Sequence, residues 1–245
     1  TDEDICMNKD WFSAHKDGLY QIASRLVERR GFGIIGAELY QNVMDTTATE
    51  CRIQINFSYP NMLIEVEDNG PGYSDLTHAW TVYAPSEKKA DPTKAGRFNV
   101  GCKVALAFCK KAEIYTTSGL VSFDETGRSE FPRRKKPNGT KFTALINKCS
   151  KANYEEFLAY MDKLIIRPGL TVRLNGNVLP SKTPLHTFNM ALQTEIGEHL
   201  RKSVRKTDVE IYEVAENETA MLYELGIPVV ETGDRYSINI LQKIP

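Results

Sequence analysis

The sequence has 245 residues, of which 41% are hydrophobic and 26% are charged, and these proportions are ordinary for a globular protein. Its 31 basic and 32 acidic side chains leave a net charge of -1, which excludes a chain-wide electrostatic attraction to nucleic acid or membranes. The five cysteines are scattered and no two form a CxxC pair, so neither a disulfide framework nor a structural zinc site is expected.

The chain carries no recognisable targeting or membrane segment. No apolar run approaches the roughly 20 residues that span a bilayer, and the acidic N-terminal sequence TDEDICMNKD is unlike a signal peptide. Free thiols are typical of a reducing cytoplasm, so a cytoplasmic location is expected. The missing initiator Met and a C-terminus that stops in a predicted strand indicate a piece of a longer protein.

The first half of the chain is predicted to fold as two helices, a β-hairpin, a long polar loop and a third helix. Helical spacing of apolar residues supports the helices, and alternation of apolar and polar residues supports the hairpin. A loop of this length inside a compact domain is usually functional, often a lid. In chain order these elements span residues 11–30, 34–48, 52–57, 62–67, 68–96 and 100–111.

The second half is predicted to contain mainly strands. Asn175 and Gly176 form a strong hairpin turn between two of them, and Gly226 ends the last predicted helix. Strands are expected over residues 112–117, 120–124, 140–146, 170–174, 177–179, 209–214 and 237–241, and helices over 154–165 and 218–225. This order indicates an α+β fold, a two-layer sandwich in which helices cover one face of a mixed, mostly antiparallel sheet. The pattern becomes irregular after Pro184, where we place a domain boundary.

Three polar side chains interrupt one face of the second helix. Glu38, Asn42 and Asp45 stand at positions i, i+4 and i+7, which lie on the same side of an α-helix. Burying them without a partner would be unfavourable, and Mg²⁺ or a nucleotide would supply one, since Mg²⁺ prefers oxygen ligands such as the Asn42 carbonyl. A Glu one turn away can orient or deprotonate a water molecule. The alternative is an exposed polar stripe on a surface helix.

A glycine-rich turn directly follows the predicted strand 62–67. An Asp at the end of a strand, here Asp68, can accept a hydrogen bond from an exocyclic amine such as that of adenine. Gly70 and Gly72 allow the backbone to approach a ligand closely. The same residues are equally suited to a plain tight turn.

Two weaker motifs follow in the chain. Gly96 and Gly101 precede and open the third helix, where backbone N–H groups and the positive end of the helix dipole favour phosphate, and Lys103 would add a point charge. Gly139 and Thr140 enter a strand, and the Thr hydroxyl can bond to a base or a structural water. Taken alone, the first motif also fits a flexible loop and the second fits any hairpin.

Taken together and in this order, the four motifs resemble the GHKL (Bergerat-fold) family, which includes gyrase B, MutL, MORC proteins, the large heat-shock chaperones and histidine kinases. The family shows an ExxxNxxD helix, then DxGxG, a long lid, a glycine-rich helix start and a Gly-Thr strand. The resemblance covers roughly residues 15 to 150. It implies a GHKL ATP-binding domain over residues 1–184 and the start of a downstream, transducer-like segment over residues 185–245.

The resemblance also implies roles for individual residues. Glu38 corresponds to the general base of ATP hydrolysis, Asn42 to the Mg²⁺ ligand, and Asp45 to the end of the motif near the base and its waters. Asp68 corresponds to the aspartate that reads adenine. The remaining expected nucleotide contacts are Gly70, Gly72, Lys94, Gly96, Asn99, Val100, Gly101, Lys103 and Thr140, several of them in a lid over residues 80–101.

Two residues depart from the pattern of the family. Thr46 follows Asp45 where the family usually has Ala, and Asn99 replaces the middle glycine of the lid motif. Asn adopts left-handed conformations more easily than most residues, so Asn99 must tolerate that geometry or the loop differs. The phosphate contacts of this loop are therefore less secure than Asn42 and Asp68.

The expected function is a slow ATP hydrolase in which lid closure drives dimerisation, so that the output is a conformational switch. One alternative is a nucleotide-binding module that does not hydrolyse ATP. Members similar to MutL and gyrase supply a lysine from the next domain, and Lys243 is expected near the start of that region, so hydrolysis by this piece alone is expected to be weak. A protein histidine kinase is a further alternative, although kinases of this fold normally lack the residue that corresponds to Glu38.

Two further features bear on partners. The C-terminal tail is loosely similar to phage rIIA-like proteins, which would place the protein in the host cytoplasm. Residues 133–136, Arg-Arg-Lys-Lys, form a basic run that is expected to be solvated. Contact with nucleic-acid phosphates is the alternative, which the net charge does not support.

Overall fold

The computed structural model describes residues 16–81, 91–94, 101–196 and 201–245. Over these residues the chain forms two β-sheets and four α-helices. The helices are α1 (Lys16–Arg30), α2 (Ile34–Met44), α3 (Gly101–Phe108) and α4 (Lys151–Lys163), and a 3₁₀ helix covers Leu76–Ala79. No helix in these ranges is long and apolar enough to cross a membrane.

The first sheet contains eight strands and is mostly antiparallel. The strands are β1 (Glu50–Ser58), β2 (Asn61–Asp68), β3 (Cys109–Thr116), β4 (Gly119–Asp124), β5 (Gly127–Phe131), β6 (Thr140–Ile146), β7 (Thr171–Leu174) and β8 (Asn177–Val178). Their spatial order is β5-β4-β3-β6-β2-β1-β7-β8. Only β1 and β7 pair in parallel, which makes the sheet mixed, as predicted.

The helices cover one face of this sheet and leave the other open. Along β1, Cys51, Ile53 and Ile55 are buried while the residues between them are exposed, as expected for a strand with one apolar face. The buried face packs against α2, which also contacts α1, α3 and α4. The structure therefore has the predicted α+β sandwich, and the polar side of the first sheet is called the open face below.

The second sheet contains five strands from the C-terminal part of the chain. They are β9 (His186–Ile196), β10 (Arg201–Glu213), β11 (Met221–Glu224), β12 (Ile227–Glu231) and β13 (Tyr236–Ile240), in the spatial order β12-β11-β13-β10-β9. This sheet begins two residues after the predicted boundary at residue 184. That boundary and the functional division it implies remain predictions.

Several predicted elements are confirmed with small shifts. The hairpin β1–β2, the strands β4 and β6, the hairpin around Asn175 and the last strand all form. The first predicted helix is present from Lys16 onward, and its predicted start at residue 11 lies outside the described residues. α4 begins three residues earlier than predicted because Ser150 caps it: its hydroxyl accepts from the Asn153 N–H at 3.1 Å, and the Asn153 side chain accepts from the Ser150 N–H at 2.9 Å.

The predicted ends of two helices and the type of one further element are wrong. α2 ends at Met44 instead of residue 48, and α3 gives way to β3 at Cys109 instead of continuing to residue 111. Periodicity does not mark the change from α3 to β3, because a short apolar run fits a helix and a buried strand equally well. The helix predicted over residues 218–225 is instead the strand β11. It ends in a tight turn where Leu225 has φ 52° and Gly226 has φ 82°.

Three further strands, β5, β9 and β12, were not predicted from the sequence. All five residues of β5 are exposed, and so are most residues of β9. Strands without a buried face lack the alternation that identifies a strand in sequence.

Candidate functional site

The polar face of α2 is half-buried, which favours the functional interpretation of this helix over an exposed stripe. Glu38, Asn42 and Asp45 are each intermediate in exposure. Burial raises the pKa of the Glu38 carboxyl above its ordinary value of 4.5, and the nearby Arg30 guanidinium opposes this effect without cancelling it. A carboxylate with a raised pKa is a stronger proton acceptor near neutral pH.

Two glycines set how closely α2 approaches α4. A Cβ atom on Gly36 would lie 2.5 Å from the Phe157 ring and 2.8 Å from the Met161 sulfur, and a Cβ atom on Gly33 would clash with the Tyr160 side chain. Only glycine fits at such separations. The close contact fixes the position of α2, and with it the polar face, against the rest of the helical layer.

Arg167 holds the C-terminal end of α2. Its Nε atom donates to the Met44 carbonyl at 3.2 Å, and its Nη2 atom donates to the Thr46 and Ala48 carbonyls at 3.0 and 2.6 Å. The last carbonyls of a helix have no partner within the helix, and a cation there is favoured by the helix dipole. Arg167 therefore fixes the turn that carries Asp45 away from the helix.

The end of α2 meets the Asp68 turn at Gly70. The Asp68 Oδ1 atom accepts from the Gly70 N–H at 2.8 Å. A Cβ atom on Gly70 would lie 2.9 Å from Asp68 Oδ1 and 3.0 Å from Thr46 Oγ1, so both side chains flank this glycine. Thr46, which departs from the family pattern, thus contacts the glycine-rich turn, while its hydroxyl donates to the Val43 carbonyl at 2.7 Å.

The Asp68 carboxyl is substantially desolvated. Burial raises its pKa above the ordinary value of 3.8, although backbone hydrogen bonds from Gly70 and Thr140 and the charge of Lys136 act in the opposite direction. A desolvated carboxylate with ordered donors is a strong and directional hydrogen-bond acceptor. This is the chemistry required to recognise an exocyclic amine.

A pair of threonines lies behind Asp68. Thr116 ends β3, Thr140 begins β6, and the two are register partners whose hydroxyl oxygens are 3.0 Å apart. The Thr116 hydroxyl oxygen also accepts from the Tyr73 N–H at 2.8 Å. A Cβ atom on Gly72, at φ 74°, would lie 2.8 Å from the same oxygen, so the glycine-rich turn is held directly against this pair.

Gly139 closes the turn from the other side. Its N–H donates to the Gly70 carbonyl at 2.6 Å, its φ is 67°, and any Cβ atom at this position would clash with the Asp68 carbonyl oxygen. The sequence motif around Thr140 thus includes Gly139 for a steric reason. Together, Asp68, Gly70, Gly72 and Thr140 form one compact arrangement at the end of β2.

The described part of the predicted lid contacts the end of the chain. Pro92 accepts from the Lys243 N–H at 2.8 Å, and Lys94 donates its N–H to the Asp91 carbonyl at 3.3 Å. Burial acts to raise the pKa of Asp91, but hydrogen bonds from Thr93 and the charges of Lys94 and Lys243 outweigh it and lower the pKa. Lys243, which follows β13, is fully buried, and its hydrogen bond with Pro92 shows that it lies beside the lid.

Some predicted site residues are not brought into this arrangement. Lys103 is buried and donates to the His78 carbonyl at 2.5 Å, so in this structure its ammonium group holds the 3₁₀ helix. Gly101 opens α3 as predicted. Gly96, Asn99 and Val100 lie outside the described residues.

Sequence reasoning missed Thr116 and Arg167. Thr116 is a strand-end hydroxyl with no local motif, and Arg167 follows α4 in a loop with no motif of its own. Thr116 lies 43 positions along the chain from Tyr73, which it contacts. Arg167 lies about 120 positions from the end of α2, which it holds. A single sequence gives no signal for contacts of this range.

Comparisons with known proteins agree with this geometry. Residues 34–145 match the family model described as histidine kinase-, DNA gyrase B- and HSP90-like ATPase. The ATPase region of topoisomerase II from Saccharomyces cerevisiae is similar in structure, with a TM-score of 0.53 and 11% sequence identity over 93% of this chain and 73% of that chain. The same region bound to dexrazoxane has a TM-score of 0.50 and 12% identity over 86% of this chain and 72% of that chain. No curated protein sequence matches this chain.

Proposed function

We propose that this chain, whose residues 34–145 match the model of the histidine kinase-, DNA gyrase B- and HSP90-like ATPase family, binds Mg-ATP and hydrolyses it slowly. Lid closure over the nucleotide and dimerisation then act as a conformational switch. The observation that carries the proposal is the desolvated Asp68 carboxylate at the end of β2, ordered by the Gly70 N–H at 2.8 Å.

Adenine binds at the Asp68 turn. The carboxylate of Asp68 accepts a hydrogen bond from the exocyclic amine, and the Thr140 hydroxyl supports the base or a water molecule beside it. Gly70 and Gly72 leave room for the nucleotide because neither carries a side chain. The threonine pair and Gly139 keep the turn in one conformation, which reduces the ordering that binding requires.

The metal and the attacking water belong to the polar face of α2. Asn42 would hold Mg²⁺ through its side-chain oxygen, since this cation prefers oxygen ligands and keeps several waters, and the bound ion would offset phosphate charge. Glu38 accepts a proton from the attacking water, a role that its raised pKa supports. Asp45, at the end of the same face, orders the waters around these groups.

The phosphates are covered by the lid. By the resemblance to the family, the glycine-rich motif of Gly96, Asn99, Val100 and Gly101 is expected to offer backbone N–H groups to the phosphates, and Lys94 and Lys103 would contribute positive charge. For Lys103 to do so, its ammonium must leave the His78 carbonyl. Lys243 is proposed to approach the nucleotide from the segment after β13, a role supported by the hydrogen bond of its N–H with the Pro92 carbonyl in the lid.

The proposal is tested first by isothermal titration of the chain with a non-hydrolysable ATP analogue and Mg²⁺. Asp68→Asn keeps the size of the side chain but removes its charge, and we expect the affinity to fall by about tenfold or more, since hydrogen bonds to charged groups contribute about 1.5 to 3 kcal/mol. Asp124→Asn, in the exposed β4–β5 turn, is the matched control and should bind normally. If the wild type binds no nucleotide, the site as proposed is wrong or needs residues beyond this chain.

Hydrolysis is tested separately by the steady-state release of phosphate. Glu38→Ala should abolish release while leaving binding of the ATP analogue nearly unchanged. Unchanged release in this variant would exclude Glu38 as the base. Binding by a wild type that releases no phosphate would favour the nucleotide-binding module, and transfer of phosphate to a histidine would favour the kinase.

Dimerisation and location complete the proposal. In the presence of the ATP analogue we expect the chain to form a homodimer, which sedimentation velocity with and without nucleotide would detect. The free thiols of Cys51, Cys109 and Cys149 are consistent with a cytoplasmic protein, which would act in the host cytoplasm if a phage encodes it.

A further inference from the structure

A rigid turn of basic residues borders the open face of the first sheet. We call residues 133–136 the basic turn. The Lys136 N–H donates to the Thr116 carbonyl and the Arg134 N–H to the Phe131 carbonyl, at 3.0 and 3.1 Å, and the Tyr115 hydroxyl donates to the Lys135 carbonyl at 3.0 Å. The backbone of this turn is therefore fixed to β3 and to the end of β5.

Two of the acidic residues on the open face, Glu65 and Glu67, are already paired. Glu67 accepts from Lys136 at 2.6 Å, and Glu65 accepts from Lys141 at 2.7 Å. The hydrogen bond from Lys136 lowers the pKa of Glu67. The hydrogen bond that Lys141 donates to Glu65 raises the pKa of Lys141, whose ammonium is also favoured by Glu113 nearby. These strand carboxylates therefore have cations of their own and do not neutralise the rest of the turn.

Three cations of the basic turn are left in excess. Arg133, Arg134 and Lys135 are exposed, and they form no ion pair with an acidic side chain in the described part of the chain. They border a depression of about 620 Å³ on the open face. Tyr115, Thr143, Lys141 and the carboxylates of Glu65 and Glu113 also line it.

The aromatic rings near the turn are covered by its own cations. The Arg134 guanidinium lies 4.8 Å from the centroid of the Phe131 ring, and the Lys136 ammonium lies 5.8 Å from that of Tyr115. Stacking on Phe131 orients the guanidinium but leaves that ring face unavailable to a base. The surface therefore offers charge and N–H donors and no stacking platform.

We propose that the basic turn and the adjoining depression bind the phosphate backbone of a nucleic acid without reading its sequence. Guanidinium groups match phosphate oxygens in a bidentate geometry, and nucleic-acid interfaces are polar and positively charged. A protein partner would instead require an apolar centre, and Leu120 is the one aliphatic side chain in the lining. The net charge of -1 conceals this excess because it sums over the whole chain.

The test is fluorescence anisotropy of a labelled duplex of about 20 base pairs, titrated with the chain at salt concentrations from about 50 to about 200 mM. Three neutralised phosphates predict a slope of roughly -2.7 for log K against log salt. The triple variant Arg133→Ala/Arg134→Ala/Lys135→Ala should lose this slope and bind about tenfold or more weakly at low salt. Duplexes of equal length and unrelated sequence should bind the wild type equally.

A second triple variant is the matched control. Arg201→Ala/Lys202→Ala/Lys206→Ala removes the same charge from exposed positions of β10 and should bind like the wild type. If the β10 variant loses binding while the turn variant keeps it, or if neither the wild type nor the control binds DNA at about 50 mM salt, the proposal is wrong. Stronger competition by polyglutamate than by unlabelled duplex at equal charge would also overturn it, since it would indicate an acidic polypeptide as partner.

Two measurements separate this proposal from that of nucleotide binding. The thermal midpoint and the affinity of the turn variant for the ATP analogue should equal those of the wild type, which excludes misfolding. Asp68→Asn should bind DNA normally. The DNA experiment therefore tests the basic turn even if the proposed adenine site is wrong.

Discussion

The hydroxyl oxygens of Thr116 and Thr140 lie 3.0 Å apart, between the ends of two neighbouring strands and directly behind the Asp68 turn. Thr116 is fully buried, and its oxygen is the acceptor for the Tyr73 N–H. The pair therefore connects the sheet to both sides of the glycine-rich turn. Its importance can be tested without touching the residue proposed to read adenine.

Replacing Thr116 by Val keeps the shape of the side chain and removes its hydroxyl. The Tyr73 N–H would lose its acceptor, and we expect the free energy of unfolding to fall by about 1 to 3 kcal/mol and the affinity for the ATP analogue to fall several-fold. Urea unfolding and isothermal titration measure the two effects. Thr143→Val, on the open face of the same sheet, should change neither; equal effects of both variants would contradict a specific role for Thr116.

Gly139→Ala should disrupt the Asp68 turn. The added methyl group would clash with the Asp68 carbonyl oxygen at a φ of 67°, so the turn must move, and we expect a loss of more than about 2 kcal/mol in the free energy of unfolding together with loss of nucleotide binding. Gly169→Ala is the control, since φ is 79° there and nothing lies within 4 Å. It should lose only about 1 kcal/mol. If the two variants are equally stable, the steric interpretation of Gly139 is wrong.

Arg167→Ala should loosen the end of α2. Three carbonyl groups would lose their donor, and a destabilisation of about 2 to 3 kcal/mol is expected from hydrogen bonds to a charged group. Affinity for the Mg²⁺ complex of the ATP analogue should fall with it because the segment carrying Asp45 and Thr46 is no longer held. Arg167→Lys should recover little, since an ammonium group cannot bind the three carbonyls in the same geometry. Arg173→Ala, exposed on β7, should behave as the wild type in thermal melting and in titration.

Glu38→Gln should change how stability depends on pH. The pKa of Glu38 is raised above 4.5 in the folded chain, so the folded state binds the proton more tightly than the unfolded state does. The free energy of unfolding of the wild type should therefore fall as pH rises from 4.5 through the raised pKa. The total loss should be about 1.4 kcal/mol for every pH unit that separates the folded pKa from the unfolded one.

The Gln variant lacks this titration. It should match the wild type below pH 4.5 and become relatively more stable above the raised pKa. Urea unfolding at a series of pH values measures the difference, with Glu216→Gln, in an exposed loop, as the control. Parallel pH profiles for the wild type and Glu38→Gln would show that burial of Glu38 has no such effect.

Local patterns predicted much of the first sheet. The hairpin β1–β2 follows from strict alternation, and the turn at Asn175 and Gly176 from its residue types. The strand β11 was wrongly predicted as a helix, because residues with ordinary helix propensity were placed in a strand by pairing with β12 and β13. Tertiary pairing overrides weak local preference of this kind.

The candidate site was predictable to the extent that its residues lie in short motifs. Asp68, Gly70 and Gly72 stand within five positions, and the structure places them in one turn. The supporting residues Thr116 and Arg167 reach the site from distant parts of the chain, so no local pattern marks them. Lys103 is the opposite case. The local motif predicted that its side chain contacts phosphate, but in the structure its ammonium donates to the His78 carbonyl.

The second sheet is joined to the helical layer along the end of α4. Arg30 and the Tyr160 hydroxyl both donate to the Pro228 carbonyl, at 3.0 and 3.2 Å. The Tyr223 hydroxyl donates to the Lys163 carbonyl at 3.0 Å, and Ile227 belongs to the same buried cluster as the residues of the first sheet.

A fragment that ends at the predicted boundary would lack Ile227, so the apolar side chains that pack against it would be exposed to solvent. Arg30, Tyr160 and the Lys163 carbonyl would also lose hydrogen-bond partners. Such a fragment would tend to self-associate through this exposed apolar surface. The intact chain should melt in a single calorimetric transition because the two sheets share buried surface. The boundary at residue 184 divides the sequence between two sheets, and the packing across it predicts that the two sheets unfold together.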